Sequence, residues 1–234
     1  MTGPWGPVYG PIDLDVDVGG VTVLRGPPGS GRTALLATLA GRMKPSGGTV
    51  TVLGRTRATD IFAVAALAGI DELDSTAESV TVRDVITEQR CWDAPWYRRI
   101  PRAGDDDVAA VCAPVFGDLP PPRCDDFVEE LPQLDGLLLR IAVANTGRPP
   151  LLVVGSVDQV DSDTDRDILM RRLVELGRHQ TVLTASVNPV PAELGVRAEI
   201  AVHRCAGREP VVHAQIHDQI HEQIHEQGGG SEPC

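Results

Sequence analysis

Aromatic side chains are scarce, only 3% of the 234 residues. They cannot fill a core, so burial must come from the Ala, Val, Leu and Ile that raise the hydrophobic share to 42%. Positive charge is also short. Twenty-one Lys and Arg face 33 Asp and Glu, a formal net charge of −12. A surface this acidic argues against nucleic acid and anionic headgroups as direct partners. The cysteines (Cys91, Cys112, Cys124, Cys205 and Cys234) show neither C-x-x-C pairs nor metal-ligand spacing, and their number is odd. A reduced chain of the cytoplasm is expected. Long apolar runs are missing too. The longest, IFAVAALAGI at 61–70, is too short to span a bilayer. The first residues, MTGPWGPVYGPIDLD, carry neither a basic n-region nor an apolar h-region, so no signal peptide is expected. Direct membrane insertion is therefore not expected; work at the inner face of a membrane would need a docking partner.

What is present alternates between two periods. IDLDVDV (12–18), VTVLR (21–25), TVTVLG (49–54), PPLLVVG (149–155), TVLTASV (181–187) and AEIAVHR (198–204) have strand character. TALLATLAGRM (33–43), LDGLLLRIAVANTG (134–147) and DTDRDILMRRLVELGRH (163–179) have helical spacing, the last with Asp163 as the N-cap candidate. Strands alternating with helices predict a largely parallel sheet covered on both faces. From about 80 to 130 the pattern breaks. TVRDVITEQR opens a helix, then Pro and Asp become frequent, which predicts a mostly helical insertion with loops.

Residues 26–33, GPPGSGRT, follow a strand and open a helix. They match the phosphate loop G-x-x-x-x-G-K-[ST] except at Arg32. The chemistry needs glycines so that successive backbone N–H groups turn toward one centre, and a helix N-terminus to add its dipole. The candidate nucleotide-binding set is Gly26, Pro27, Pro28, Gly29, Ser30, Gly31, Arg32, Thr33 and Ala34. Thr33 supplies the hydroxyl expected on Mg²⁺. Arg32 keeps the positive charge of the missing lysine, but as a longer planar fork and not a compact point charge. The competing reading is a glycine-rich turn without a ligand; strand, loop, helix and Thr33 falling in register speaks against it.

Residues 131–156, LPQLDGLLLRIAVANTGRPPLLVVGS, resemble the ATP-binding cassette pattern LSGGQ-x-x-R-x-x-L-A-x-A-L-x-x-x-P-x-L-L-L-L-D-E without a gap. GPIDLDVDVGGVTVLRGPPGSGRTALLATLAGRMKPSGGTVTVLG is similar to the N-terminal half of such a cassette. TVLTASVNP (181–189) resembles the segment that usually ends in a switch histidine. The similarity spans roughly residues 8–205 and identifies a divergent ABC transporter ATP-binding protein, with wording typical of a high-GC actinobacterial source. The resemblance implies an α/β, RecA-like P-loop NTPase core with an antiparallel β edge and an inserted helical subdomain at about 80–140. It implies ATP and Mg²⁺ as cofactors, and a membrane permease or second cassette subunit as partner. Residues 206–234 form a separate tail.

Most of the family's γ-phosphate machinery is altered. At the signature, Leu131-Pro132-Gln133-Leu134-Asp135 replace serine and glycines; Pro132 lacks hydroxyl and N–H, Leu134 adds bulk and Asp135 adds negative charge. At the end of the Walker B strand, Gly155 and Ser156 stand where an acid pair belongs. Asp158 and Asp161 follow; one reading has them contact the metal through water, and the plainer, favoured one is loop acid or helix cap. The switch position falls at Val187, with His179 in the preceding helix end, and the Q-loop near Asp71 and Glu72. Trp5 or Tyr9 is the candidate adenine-stacking ring; either also reads as strand packing. No catalytic residue is assigned. ATP binding with weak or absent hydrolysis is expected, and the alternative is a non-catalytic cassette-like interaction protein. In the tail, His213, His217, His221 and His225 recur every four residues beside Ile216, Ile220 and Ile224. This reads as a partly helical or disordered repeat, with i,i+4 imidazole pairs open to metal.

Overall fold

The computed structural model describes residues 2–3, 6–7, 9–70, 79–202 and 212–217. Trp5, Asp71, Glu72, Ile220, His221, Ile224 and His225 lie outside them. Strands β1 (Thr2–Gly3) and β2 (Gly6–Pro7) pair antiparallel. The main sheet has five strands: β4 (Gly20–Arg25), β6 (Ala65–Ala68), β7 (Leu151–Ser156), β8 (Thr181–Ser186) and β9 (Ala198–Ala201). Their order is β6-β7-β8-β4-β9 and every ladder is parallel. Both faces are buried, which is why these strands read as continuous apolar runs. Alternate residues then serve two cores. Val21, Val23, Leu152, Val154 and Val182 face one side; Leu24, Leu151, Val153, Leu183 and Ala185 face the other.

Helix α1 (Arg32–Leu39) covers the second face, through Leu35, Leu36 and Leu39. The first face is covered by α3 (Val82–Asp93), α4 (Asp105–Phe116), α5 (Gln133–Ala144) and α6 (Asp163–Gly177). A short α2 (Ala58–Phe62) precedes β6. Each Val, Leu or Ile fully buried here stabilises the fold by about 1.5–3 kcal/mol. Helix α3 starts in a reciprocal cap: the Asp84 N–H donates to the Thr81 hydroxyl at 3.3 Å, and the Thr81 N–H to the Asp84 carboxylate at 3.4 Å. The cap of α6 is Ser162, not Asp163. Its hydroxyl accepts from the Asp165 N–H, and Asp163 becomes the first helical residue.

Two expectations are corrected. The β layer beside the core is not antiparallel: β3 (Ile12–Asp17), β10 (Val212–His217) and β5 (Gly48–Val52) form a sheet of order β3-β10-β5 with parallel ladders. And the first histidine tetrad, expected in a helical or disordered tail, is β10, the central strand of that layer. Val212, Ala214 and Ile216 point into the core, while His213 pairs with Thr49 and His217 with Asp15 at 3.1 Å. In a strand two histidines four apart are separated by about 13 Å, too far to share one ion. Among the described residues no group of three His, Cys, Asp or Glu is placed to hold a metal.

Candidate functional site

The phosphate loop joins β4 to α1, as its sequence requires. Gly26 is anchored: its N–H donates to the Ser186 carbonyl at 3.2 Å, and a Cβ there would meet the Val202 carbonyl at 2.5 Å. Pro27, Pro28 and Gly29 are exposed, and the Ser30 N–H closes the turn on the Pro27 carbonyl at 3.2 Å. Gly29 (φ 76°) and Gly31 (φ 82°) adopt the left-handed conformation that turns the backbone into α1, where the Leu35 N–H reaches the Gly31 carbonyl. No side chain caps this helix, so its first N–H groups are left for a ligand. Thr33 stands exposed in the first turn and Ala34 is half-buried beside it.

Two polar atoms here are buried with no protein partner, the Ser30 hydroxyl and the Arg32 Nη1. Ser30 is only 2% exposed. Burying such groups unpaired costs free energy unless something else satisfies them. Burial lowers the pKa of Arg32, and the charge of Asp158 partly offsets this. A loop of turned amides with an orphaned hydroxyl and an orphaned guanidinium fits the phosphates of a nucleotide.

The far end of β7 is built differently. The β7–β8 register shifts between Val153 and Ser156, so β7 ends in a bulge at Gly155. A Cβ on Gly155 would lie 1.8 Å from the Gly69 carbonyl oxygen and 2.7 Å from Gln159 Nε2. That amide donates to the Gly69 and Ser156 carbonyls at 2.6 and 2.9 Å, and the Thr184 hydroxyl donates to the Gly155 carbonyl at 2.6 Å. The space a carboxylate would need is filled by backbone and an amide.

Asp158, in the one-turn helix Val157–Gln159, is brought back over the strand ends. It accepts from the Ser156 hydroxyl (2.9 Å) and the Val187 N–H (2.6 Å), and lies 3.3 Å from the Ser186 hydroxyl, whose shorter bond is to the Asn188 carbonyl (2.8 Å), with Arg166 Nε at 3.8 Å. Val187, at the switch position, thus contributes its backbone alone. Asp161 is exposed and turned elsewhere, joined to Gln133 by two hydrogen bonds of 3.1 and 3.2 Å.

That pair ties the loop after β7 to the first turn of α5, the signature end. Pro132 precedes the helix without a side-chain cap, and Leu134 does not obstruct that end, because it is buried in the core. Asp135 stays in the first turn, and its pKa is raised by burial and by Asp165. Tyr9 is no stacking ring. It is fully buried, with its hydroxyl bonded to Thr38 on α1. The partners of Asp158, Ser156 and Ser186, were not legible as such. Only the serine at each strand end hinted at them.

Thr33 is the one hydroxyl offered to a divalent cation in the loop. Gly155 has no side chain, Ser156 is engaged with Asp158, and the carboxylate of Asp158 is occupied by donors. The described residues therefore fit a nucleotide well and fit its Mg²⁺ poorly.

Residues 9–108 match the family model described as ABC transporter. The hemin import ATP-binding protein HmuV of Rhodococcus jostii is 37% identical over 107 residues, 44% of this chain and 35% of that protein. HmuV of Nocardia farcinica is 32% identical over 120 residues, 50% of this chain and 40% of that protein. The match thus spans well under half the length of either relative. In structure, cbiO1 of Clostridium perfringens, part of the ABC transporter complex cbiONQ, superposes with a TM-score of 0.64 at 16% identity, covering 87% of this chain and 81% of its own.

Proposed function

This chain carries a divergent ATP-binding cassette domain of the ABC transporter family, and from that premise we propose that it is the ATP-binding subunit of a membrane transporter that holds ATP at Gly26–Ala34 and hydrolyses it slowly or not at all. The observation that carries the reading is the contrast at the site. The loop keeps unpartnered donors at Ser30 and Arg32, while the end of β7 has lost its acids and is closed by Gly69, Gln159 and Asp158.

Phosphoryl transfer of this class depends on positioning and electrostatic stabilisation. The loop N–H groups and Arg32 hold the phosphates in place. No described residue stands at the strand end as a free carboxylate to orient an attacking water, and losing such a base costs orders of magnitude in rate. Asp135, in the first turn of α5, opposes a phosphate approaching that helix from a second subunit. A competent partner therefore restores neither site: one keeps this chain's strand end, the other its α5 terminus.

Attachment to a permease is supported by an exposed patch. Trp92, Trp96 and Tyr97 are 78%, 96% and 74% exposed, next to Arg98 and Arg99. Aromatic and arginine side chains are the types enriched where proteins meet. No described helix is long and apolar enough to cross a membrane, so the permease supplies the membrane-spanning part. The working place is then the cytoplasmic side, at the membrane through that partner.

The test is steady-state ATP turnover of the purified chain, alone and with a permease. Turnover well below about 1 s⁻¹ is expected, under the range of ordinary enzymes. Turnover within that range would refute slow hydrolysis.

A further inference from the structure

We propose that the loop binds the phosphates of a nucleoside triphosphate without a divalent cation, the Arg32 guanidinium taking the cation's place. The inference rests on the nucleotide-binding reading above and goes beyond it.

A metal at a phosphate needs oxygen ligands that are free to turn toward it. Position 155 offers none, and its side-chain space is taken by a carbonyl and by the Gln159 amide, whose N–H groups are donors and cannot ligate. Asp158 is the one described carboxylate whose charge is felt at Arg32. A carboxylate has about four acceptor sites. Asp158 Oδ2 already takes the Ser156 hydroxyl and the Val187 N–H, and Oδ1 faces the Ser186 hydroxyl at 3.3 Å and Arg166 Nε at 3.8 Å. Turning it to a metal would strand the Val187 N–H, which is too costly for a single ligand. Among the described residues Thr33 alone remains.

Arg166 stands by Asp158 and also by Asp163 at 2.9 Å, so Asp158 is countered without Arg32. Arg32 has no ion pair among the described residues, and its Nη1 is buried without an acceptor. A guanidinium presents several donors in one plane, matched to two phosphate oxygens at once, where an ammonium acts as a point charge. Ser30, buried and unpaired two residues earlier, supplies a further donor to the same anion. The charge that elsewhere is shared between a lysine and a metal is here concentrated in one forked cation.

The decisive experiment is calorimetric titration of the full chain with ATP, once with excess Mg²⁺ and once with EDTA, repeated for Arg32→Lys. The wild-type dissociation constants should agree within about twofold. Arg32→Lys should bind at least about tenfold more weakly in both buffers. If the wild type saturates only with Mg²⁺, or if Arg32→Lys matches it in EDTA, the proposal is wrong while nucleotide binding stands. Absence of binding in both buffers would instead refute the nucleotide-binding reading and this inference with it.

Discussion

The two ends of the site treat their polar groups in opposite ways. In the phosphate loop, Ser30 and Arg32 are left buried without partners and two glycines sit in the left-handed region. At the end of β7 most polar groups find partners: Thr184 on Gly155, Gln159 on Gly69, and Ser156, Ser186 and Val187 on Asp158, with Arg166 Nε alone held only at 3.8 Å from Asp158. Unpaired buried donors reduce the stability of the empty fold and make sense where a ligand completes them. A closed hydrogen-bond network stabilises the fold and leaves nothing to react. The difference teaches that the loop leaves donors open to a ligand, whereas the strand end satisfies its own polar groups.

The contrast can be broken most severely at Gly155. Restoring an acid there by Gly155→Asp should not revive catalysis. The new Cβ runs into the Gly69 backbone, so the variant should lose more than about 4 kcal/mol or fail to fold, a size reserved for severe core damage. Thermal unfolding checks this; a Tm near the wild type would show that the strand end can still accept an acid. Asp158→Ala comes next. It strands the Val187 N–H, while the Ser156 and Ser186 hydroxyls keep the Ala185 and Asn188 carbonyls as acceptors, and should cost about 1–3 kcal/mol in denaturant unfolding. A neutral result would remove the structural role given to Asp158. Ser30→Ala is the smallest and has the opposite sign. Deleting an unpaired hydroxyl should leave stability unchanged or raise it by up to about 1 kcal/mol in the absence of nucleotide. A clear loss in Tm would mean that the hydroxyl has a partner inside the protein, and the two ends would no longer differ.

Local features were legible and distant pairings were not. GPPGSGRT could be read because its geometry is set by eight consecutive residues, two of them glycines that must take positive φ. The main sheet was legible because two-sided burial forces runs such as LLVV. By contrast, the QIH tetrads suggested a helix, yet Val212–His217 is a strand. The alternation of Val212, Ala214 and Ile216 with His213, Gln215 and His217 was present in the sequence. What selects it is a slot between Ile12–Asp17 and Gly48–Val52, far away along the chain. Leu134 was expected to obstruct the signature end, but the helical phase of α5 turns it into the core.

The sequence by itself determined the resemblance to the cassette family, the loop, the absence of acids at Gly155 and Ser156, and the charge at Arg32. These follow from residue type and short spacing, which no packing can alter. Only the tertiary structure decided that Gly155 cannot regain a side chain, that Asp158 returns to the site as a captive of Ser156, Ser186 and Val187, and that Tyr9 is core. Each of those depends on two segments meeting that are distant in the chain, where sterics and hydrogen-bond satisfaction are settled by the fold as a whole.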